Sequence, residues 1–295
     1  MSSEWEGKSK GSVFGYRVFV FLIKNLGVKA AYLLLFFVAL YYCFFAPSNV
    51  KAIFYYFNSR LKYSKFKSIV HVYKSFVTFG KTIIDKVAIS SGMRDSFTYD
   101  FDGRENIKNL LDNKQGGILI SAHVGNFEIS EFFFAELDQT ATISLVVTDA
   151  ERQAIKEYLS KYTRKSHTKF IVIKEDISHI FEINAALARN EIVCMTGDRY
   201  IKGTKFMEEQ LLGETARFPA GPFMIASRLK VPVIFVYVMK DPKQHYHLYA
   251  RTAQNIHRDA PHLLREYTKS VEWMLKKYPK QWFNYFDFWN LNKAS

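Results

Sequence analysis

Seventeen consecutive positions without a charge, Ala30 to Ala46, set the first limit on how this chain folds. As a helix the run spans ~26 Å, slightly less than a ~30 Å hydrocarbon core, and extension back through Gly27 and Val28 closes the difference. A bilayer-inserted helix is therefore expected. Lys29 is placed to snorkel to headgroups, with Tyr32, Tyr41 and Tyr42 near the interfaces. Phe44-Phe45-Ala46-Pro47 lacks small residues at the spacing of a cleavage site, so removal of the segment is not expected. Lys8, Lys10, Arg17, Lys24 and Lys29 precede it, while Lys51, Arg60, Lys62, Lys65 and Lys67 follow, so the positive-inside rule assigns no orientation. Gly15 to Leu26 has the pattern of an interfacial helix, which keeps a monotopic anchor open beside a spanning one.

Aromatic residues agree with lipid contact, because 27 Phe and 18 Tyr in 295 residues exceed what a soluble core needs. The net charge of +13 favours a polyanionic partner: an anionic membrane, an acidic carrier protein or nucleic acid. The basic residues are dispersed and no nucleic-acid-binding module accompanies them, so nucleic acid is not expected. Cys43 and Cys194 both lie in apolar runs, which fits neither a disulfide framework nor a metal clip and agrees with a reducing compartment.

After Pro47 a helical region is expected to about Ile89, with Phe57, Leu61, Val70, Tyr73, Phe76 and Phe79 spaced for a buried or membrane-facing side. From there short apolar runs alternate with amphipathic stretches: Gly117 to Ala122, Ile143 to Val147, Phe170 to Ile173, Ile192 to Met195 and Val233 to Val238. Such alternation predicts an α/β domain with a mixed sheet covered by helices on both faces. His245 to Arg251 alternates with period two and reads as a further strand near one edge, before a helix from about Pro261 to Lys277. No internal repeat, low-complexity tract or Gly/Ser linker supports a second globular domain. The expected division is 1–92, membrane anchor and lipid-facing helices, and 93–295, the α/β domain.

The chemistry concentrates where the first core strand ends. His123 follows it directly in Ser121-Ala-His-Val-Gly-Asn-Phe-Glu128, and Ile129 to Leu137 reads as a helix. With His123 in the turn, Gly125 permitting tight backbone geometry and Glu128 in the first helical turn, the carboxylate can hold one imidazole nitrogen and fix its tautomer. The other nitrogen is then free to take a proton from a hydroxyl or amine. Backbone N–H groups at the helix start, with Asn126 as a side-chain donor, are candidates to face an oxyanion. A cap or a packed core residue is the plainer role for a lone histidine in such a turn. His167, His179, His245, His247, His257 and His262 suggest solvated or packing roles rather than a metal site. No Gly-x-Ser-x-Gly elbow, phosphate-binding loop or His-Glu-x-x-His motif occurs.

His123-x-x-x-x-Glu128 resembles the His-x-x-x-x-Asp/Glu motif of the lysophospholipid acyltransferase superfamily. Within it the chain is most similar to the bacterial lipid A biosynthesis, or late, acyltransferases. The similarity rests on the order of an N-terminal hydrophobic anchor, that motif, Gly197-Asp-Arg199, Leu212-Gly213, Arg217-Phe-Pro-Ala-Gly-Pro222 and Tyr278-Pro-Lys-Gln-Trp-Phe283, from about residue 10 to 290. The resemblance implies a glycerolipid acyltransferase-like fold and transfer of a fatty acyl group, not an aminoacyl group, from an acyl carrier protein thioester to a hydroxyl or amine of a membrane lipid. The lipid A precursor is the first expected acceptor and an amino-acid-containing or other secondary lipid the second. No metal or other cofactor is implied. By the same resemblance His123 is the general base and Glu128 its support, at the inner membrane with the catalytic domain on the cytoplasmic side. Asp198 and Arg199 are then expected near the acceptor; an ion pair holding a strand-end turn is the competing role. Arg217 to Gly221 resembles the Phe-Pro-Glu-Gly block of glycerolipid acyltransferases, with Ala220 at the acidic place, which weakens a glycerol-phosphate acceptor. Arg217 and Gly221 are read as binding a lipid headgroup, the arginine bidentately, unless the block only shapes a turn. A basic membrane-surface protein without chemistry is the reading from another class.

Overall fold

The computed structural model describes residues 13–114, 116–130, 142–148, 168–174, 176–200, 203–254 and 256–289; the side chains of 13–17, Glu128 and Thr168 lie outside that description. Helix α1, Val13–Leu26, and α2, Val28–Phe45, meet at Gly27, followed by α3, Pro47–Tyr55. A π-helical turn, Tyr56–Arg60, leads to the long α4, Lys65–Ser90. Pro47 opens α3, where its missing N–H costs nothing. Ser64 caps α4 by accepting from Lys67 N at 3.3 Å. By length and composition α2 is sufficient to cross a membrane.

A seven-stranded sheet follows, built from β1, Thr98–Asp102; β2, Gly117–Ser121; β3, Ile143–Val147; β4, Thr168–Val172; β5, Ile192–Thr196; β8, Val233–Asp241; and β9, His245–Thr252. Its order is β1-β9-β8-β2-β5-β3-β4. The five strands from β8 to β4 are parallel, while β9 runs antiparallel to β8 and carries β1 parallel to itself. This is the expected mixed α/β sheet. β2 is buried at every position and β5 at all but its last, as strands covered on both faces must be. Helices α5, Arg104–Asp112; α6, Ser178–Ala188; α7, Ala220–Arg228; and α8, Ala260–Lys277, complete the domain. The helix expected to Leu137 lies mostly outside the described residues, which give a 3-10 turn at Phe127–Ile129.

Two features escaped the sequence pattern. β1 adds an edge strand, and β6, Phe206–Leu211, with β7, Glu214–Pro219, forms a separate antiparallel hairpin. Its two-residue loop has positive φ at Leu212 and Gly213, the primed turn that matches strand twist. Glu272 of α8 accepts the Leu212 N–H at 2.5 Å, tying the hairpin to the domain. The block from Arg217 to Pro222 is thus strand end and helix start, with Pro222 in the first turn of α7 where proline is tolerated.

The boundary expected at residue 92 falls between α4 and β1, yet the apolar core does not stop there. One cluster of buried side chains runs from Ile23, Ala31 and Leu35 through Ile84 and Val124 to Trp282 and Trp289.

Candidate active site

β2 and β5 are neighbouring parallel strands whose register pairs Ser121 with Thr196. Two residues further along each chain stand His123 and Asp198, so the register alone delivers them side by side at the carboxyl ends of the central strands, where ligands bind in open α/β sheets. Asp198 holds the histidine twice. Its Oδ2 accepts the His123 backbone N–H at 2.8 Å, and its Oδ1 lies 2.8 Å from Nδ1. The Asp198 side chain is 1% exposed and that of His123 22%, so the carboxylate is sealed while part of the ring stays open to a substrate.

Burial pushes the Asp198 carboxyl up, but His123, Arg199 and Asn284 outweigh it and hold the group down to about 2. An ionised carboxylate only accepts hydrogen bonds, so Nδ1 carries the proton, and in the neutral tautomer this selects it is Nε2 that holds the lone pair.

The segment from Gln281 to Phe286 closes the site. Trp282 bridges Val124 in antiparallel fashion, the Phe283 N–H donates to His123 O at 3.0 Å, and the Gly125 N–H donates to Gln281 O at 3.1 Å. Asn284 links both halves of the Asp-Arg pair: its Nδ2 donates to Asp198 Oδ2 at 2.8 Å and its Oδ1 accepts from Arg199 Nε at 2.7 Å. Arg199 also donates to Phe283 O at 3.0 Å. Gly125 has φ +64, and a Cβ there would meet Val238 O at 2.2 Å, so the turn requires glycine for both conformation and space.

The expected site residues are therefore distributed unevenly. His123, Asp198 and Arg199 come together. The carboxylate on Nδ1 is Asp198, where the spacing argument anticipated Glu128; the side chain of Glu128 lies outside the described ones, its backbone in the 3-10 turn. Asn126 is buried, its amide donating to Thr82 O at 2.9 Å and Tyr246 Oη at 3.3 Å and its backbone N–H to Val238 O at 2.7 Å. Both side-chain protons of Asn126 are thus engaged in fixing the turn, which leaves none for the oxyanion it was expected to face. Arg217 pairs across the hairpin with Glu208 at 3.1 Å and lies over the Phe206 ring at 4.4 Å. Gly221 is in the first turn of α7, facing open space. Gln281 and Asn284 were not anticipated: Gln281 lies inside the block Tyr278 to Phe283 and Asn284 directly follows it, but no local pattern marks either as a partner of the turn after β2. His245 donates to or accepts from Thr98 Oγ1 at 2.8 Å and His247 stacks on Tyr249, packing roles in both cases. Among the described residues no cluster suits a metal ion.

No curated protein sequence matches the chain. The family described as bacterial lipid A biosynthesis acyltransferase matches residues 14–289, a span holding every element of the site. The chain therefore belongs to the bacterial lipid A biosynthesis acyltransferase family, whose members are acyltransferases acting on lipid precursors.

Proposed function

We propose that the protein transfers a fatty acyl chain from an acyl carrier protein thioester to a hydroxyl or amine of a lipid A-type precursor, with His123 as general base. The observation that carries this reading is the ring of His123, one nitrogen tied to a buried, ionised Asp198 and the ring partly open. In the proposed reaction Nε2 takes the acceptor proton while the acceptor oxygen or nitrogen attacks the thioester carbonyl. The tetrahedral oxyanion then collapses, the carbon–sulfur bond breaks, and the imidazolium returns its proton to the departing thiolate. Asp198 fixes the tautomer and stabilises the imidazolium, as a buried carboxylate does for a catalytic histidine. Glu128, in the adjacent turn, supplies a second negative charge to the same imidazolium in this proposal. Arg199 and Arg217 are proposed to meet the acceptor's phosphate or carboxylate groups, with Gly221 leaving room beside them. The inner membrane with the domain on its cytoplasmic side is the proposed location, supported by the free thiols of Cys43 and Cys194.

Acyl transfer from an acyl carrier protein thioester to detergent-dispersed lipid A precursor tests the reading. His123→Ala is expected to lower turnover by ~10² to 10⁴ with little change in donor binding. Near-normal transfer by the folded variant refutes the mechanism. Mass spectrometry of membrane lipids from cells with and without the gene identifies the acceptor, and an altered amino-acid-containing lipid with unchanged lipid A would redirect the proposal to that lipid.

A further inference from the structure

α2 is long and apolar enough to cross a bilayer, but its packing points to another arrangement. Val28, Ala31, Leu35 and Ala39 are buried at intervals of three and four residues, followed by Ala46 beyond the helix end. This stripe runs along the whole inner side of the helix. On the outer side Leu33 is 65% exposed, Phe37 67% and Phe44 73%, with Leu40, Tyr41 and Phe45 also exposed. The helix is apolar all round, yet it is half covered by protein and half open along its full length.

The covering element is α4, which runs antiparallel to α2. Leu35 packs where Gly80 leaves room, a Cβ there falling 2.2 Å from its Cδ1. Further toward the start of α4, Tyr73 Oη donates to Phe36 O at 3.2 Å, and toward its end Tyr32 Oη donates to Asp85. Asp85 is fully buried and also accepts from Lys240 Nζ of β8 at 2.6 Å and Tyr246 Oη of β9 at 2.5 Å. Tyr32, only one turn into α2, is therefore linked through Asp85 to the end of β8 and the start of β9.

These contacts decide the depth at which the helix sits. Were α2 to stand across the bilayer, α4 would be carried into the hydrocarbon beside it, with exposed Lys74 next to Tyr73 and half-buried Lys81, whose Nζ lies over the Tyr32 and Phe36 rings at 5.0 and 5.5 Å. A lysine within the hydrocarbon core is unfavourable, and α4 presents these two along the span. Separating the helices instead would strip Asp85 of its Tyr32 partner.

We infer that α2 does not cross the membrane: it lies in the plane of the surface, its outer face sunk into one leaflet of an anionic bilayer. Leu33, Phe37, Leu40, Tyr41 and Phe44 enter the acyl boundary together, as the apolar face of an interfacial helix does. Exposed Lys24, Lys29 and Lys51 border the two ends of this face and meet anionic headgroups. α1 and the α/β domain then occupy the same side. This rests on the membrane association of the proposed function, but not on its chemistry.

The test uses full-length protein reconstituted into sealed vesicles of phosphatidylethanolamine and phosphatidylglycerol, with Cys43→Ser and Cys194→Ala as background. Single cysteines at two exposed positions, Asn25→Cys in α1 and Asn113→Cys after α5, are treated with a membrane-impermeant maleimide before and after detergent. The expected result is equal labelling of the two positions before detergent in every preparation; labelling of one position outside while the other stays protected overturns the inference. In the same background a fluorophore at Leu33→Cys, Phe37→Cys or Phe44→Cys is expected to be quenched by a shallow nitroxide lipid to similar degrees. A depth that peaks at Phe37 and falls toward both ends overturns it as well. Neither readout requires turnover, so an inactive but membrane-bound protein would defeat the proposed reaction and leave this result intact.

Discussion

At the scale of residues, one charge on Asp198 serves both the proposed proton transfer and the stability of the fold. Its carboxyl lies at about 2 in the fold against an ordinary 3.8. A depressed acid stabilises the fold above the unfolded value and loses that contribution as pH falls through the folded one. The difference corresponds to about 2 kcal/mol, present above about pH 4 and lost toward pH 2. Asp198→Asn removes it. The stability gap between wild type and variant is therefore expected to be widest at neutral pH and to narrow by about 2 kcal/mol between pH 4 and pH 2, measured by urea unfolding in detergent at each pH. A gap that stays constant across this window would separate Asp198 from the acid response. Asp198→Asn also frees the His123 tautomer, so turnover at neutral pH should fall by ~10² or more.

At the scale of elements, the Asp85–Lys240 pair ties α4 to β8, with Tyr32 and Tyr246 adding α2 and β9. Lys240 also donates to Lys243 O at 3.0 Å. Asp85→Ala leaves a buried lysine without its partner and is expected to cost about 3–5 kcal/mol. The double substitution Asp85→Leu with Lys240→Met removes both charges and should be less destabilising than Asp85→Ala alone. Thermal or urea unfolding of the single and double variants checks this; losses that simply add would contradict the pairing. Asn126, which donates to Thr82 O in α4 and to Tyr246 Oη, makes the turn after His123 part of the same assembly.

At the scale of the whole molecule, the net charge of +13 acts over distances that no single contact covers. An acidic acyl carrier protein should be steered to the domain, and the steering should weaken as salt screens it. kcat/KM with the carrier thioester is expected to fall by about 10-fold or more from low to high ionic strength, while the rate with an uncharged short-chain thioester changes little. Equal salt responses would leave the charge to the membrane surface alone.

What the sequence by itself determined is local. Apolar runs at Gly117 to Ala122, Ile192 to Met195 and Val233 to Val238 mark strands because a strand buried on both faces needs no partner to declare its pattern. The position of His123 after such a strand, in a turn with a glycine, is equally local. β1, with the sequence Thr-Tyr-Asp-Phe-Asp, and the hairpin beginning Phe-Met-Glu-Glu-Gln were not legible, because edge and surface strands mix charge with apolar residues. Only the tertiary structure decided which carboxylate holds Nδ1, since His123 and Asp198 are 75 residues apart and meet through the register of β2 on β5. It likewise set Asn284 on Asp198 from 86 residues away and turned Asn126 toward α4. The uncharged run from Ala30 marks an apolar helix; which half of it the protein covers and which stays open follows from α4, whose contacts through Gly80 and Asp85 lie beyond what any local pattern in α2 encodes.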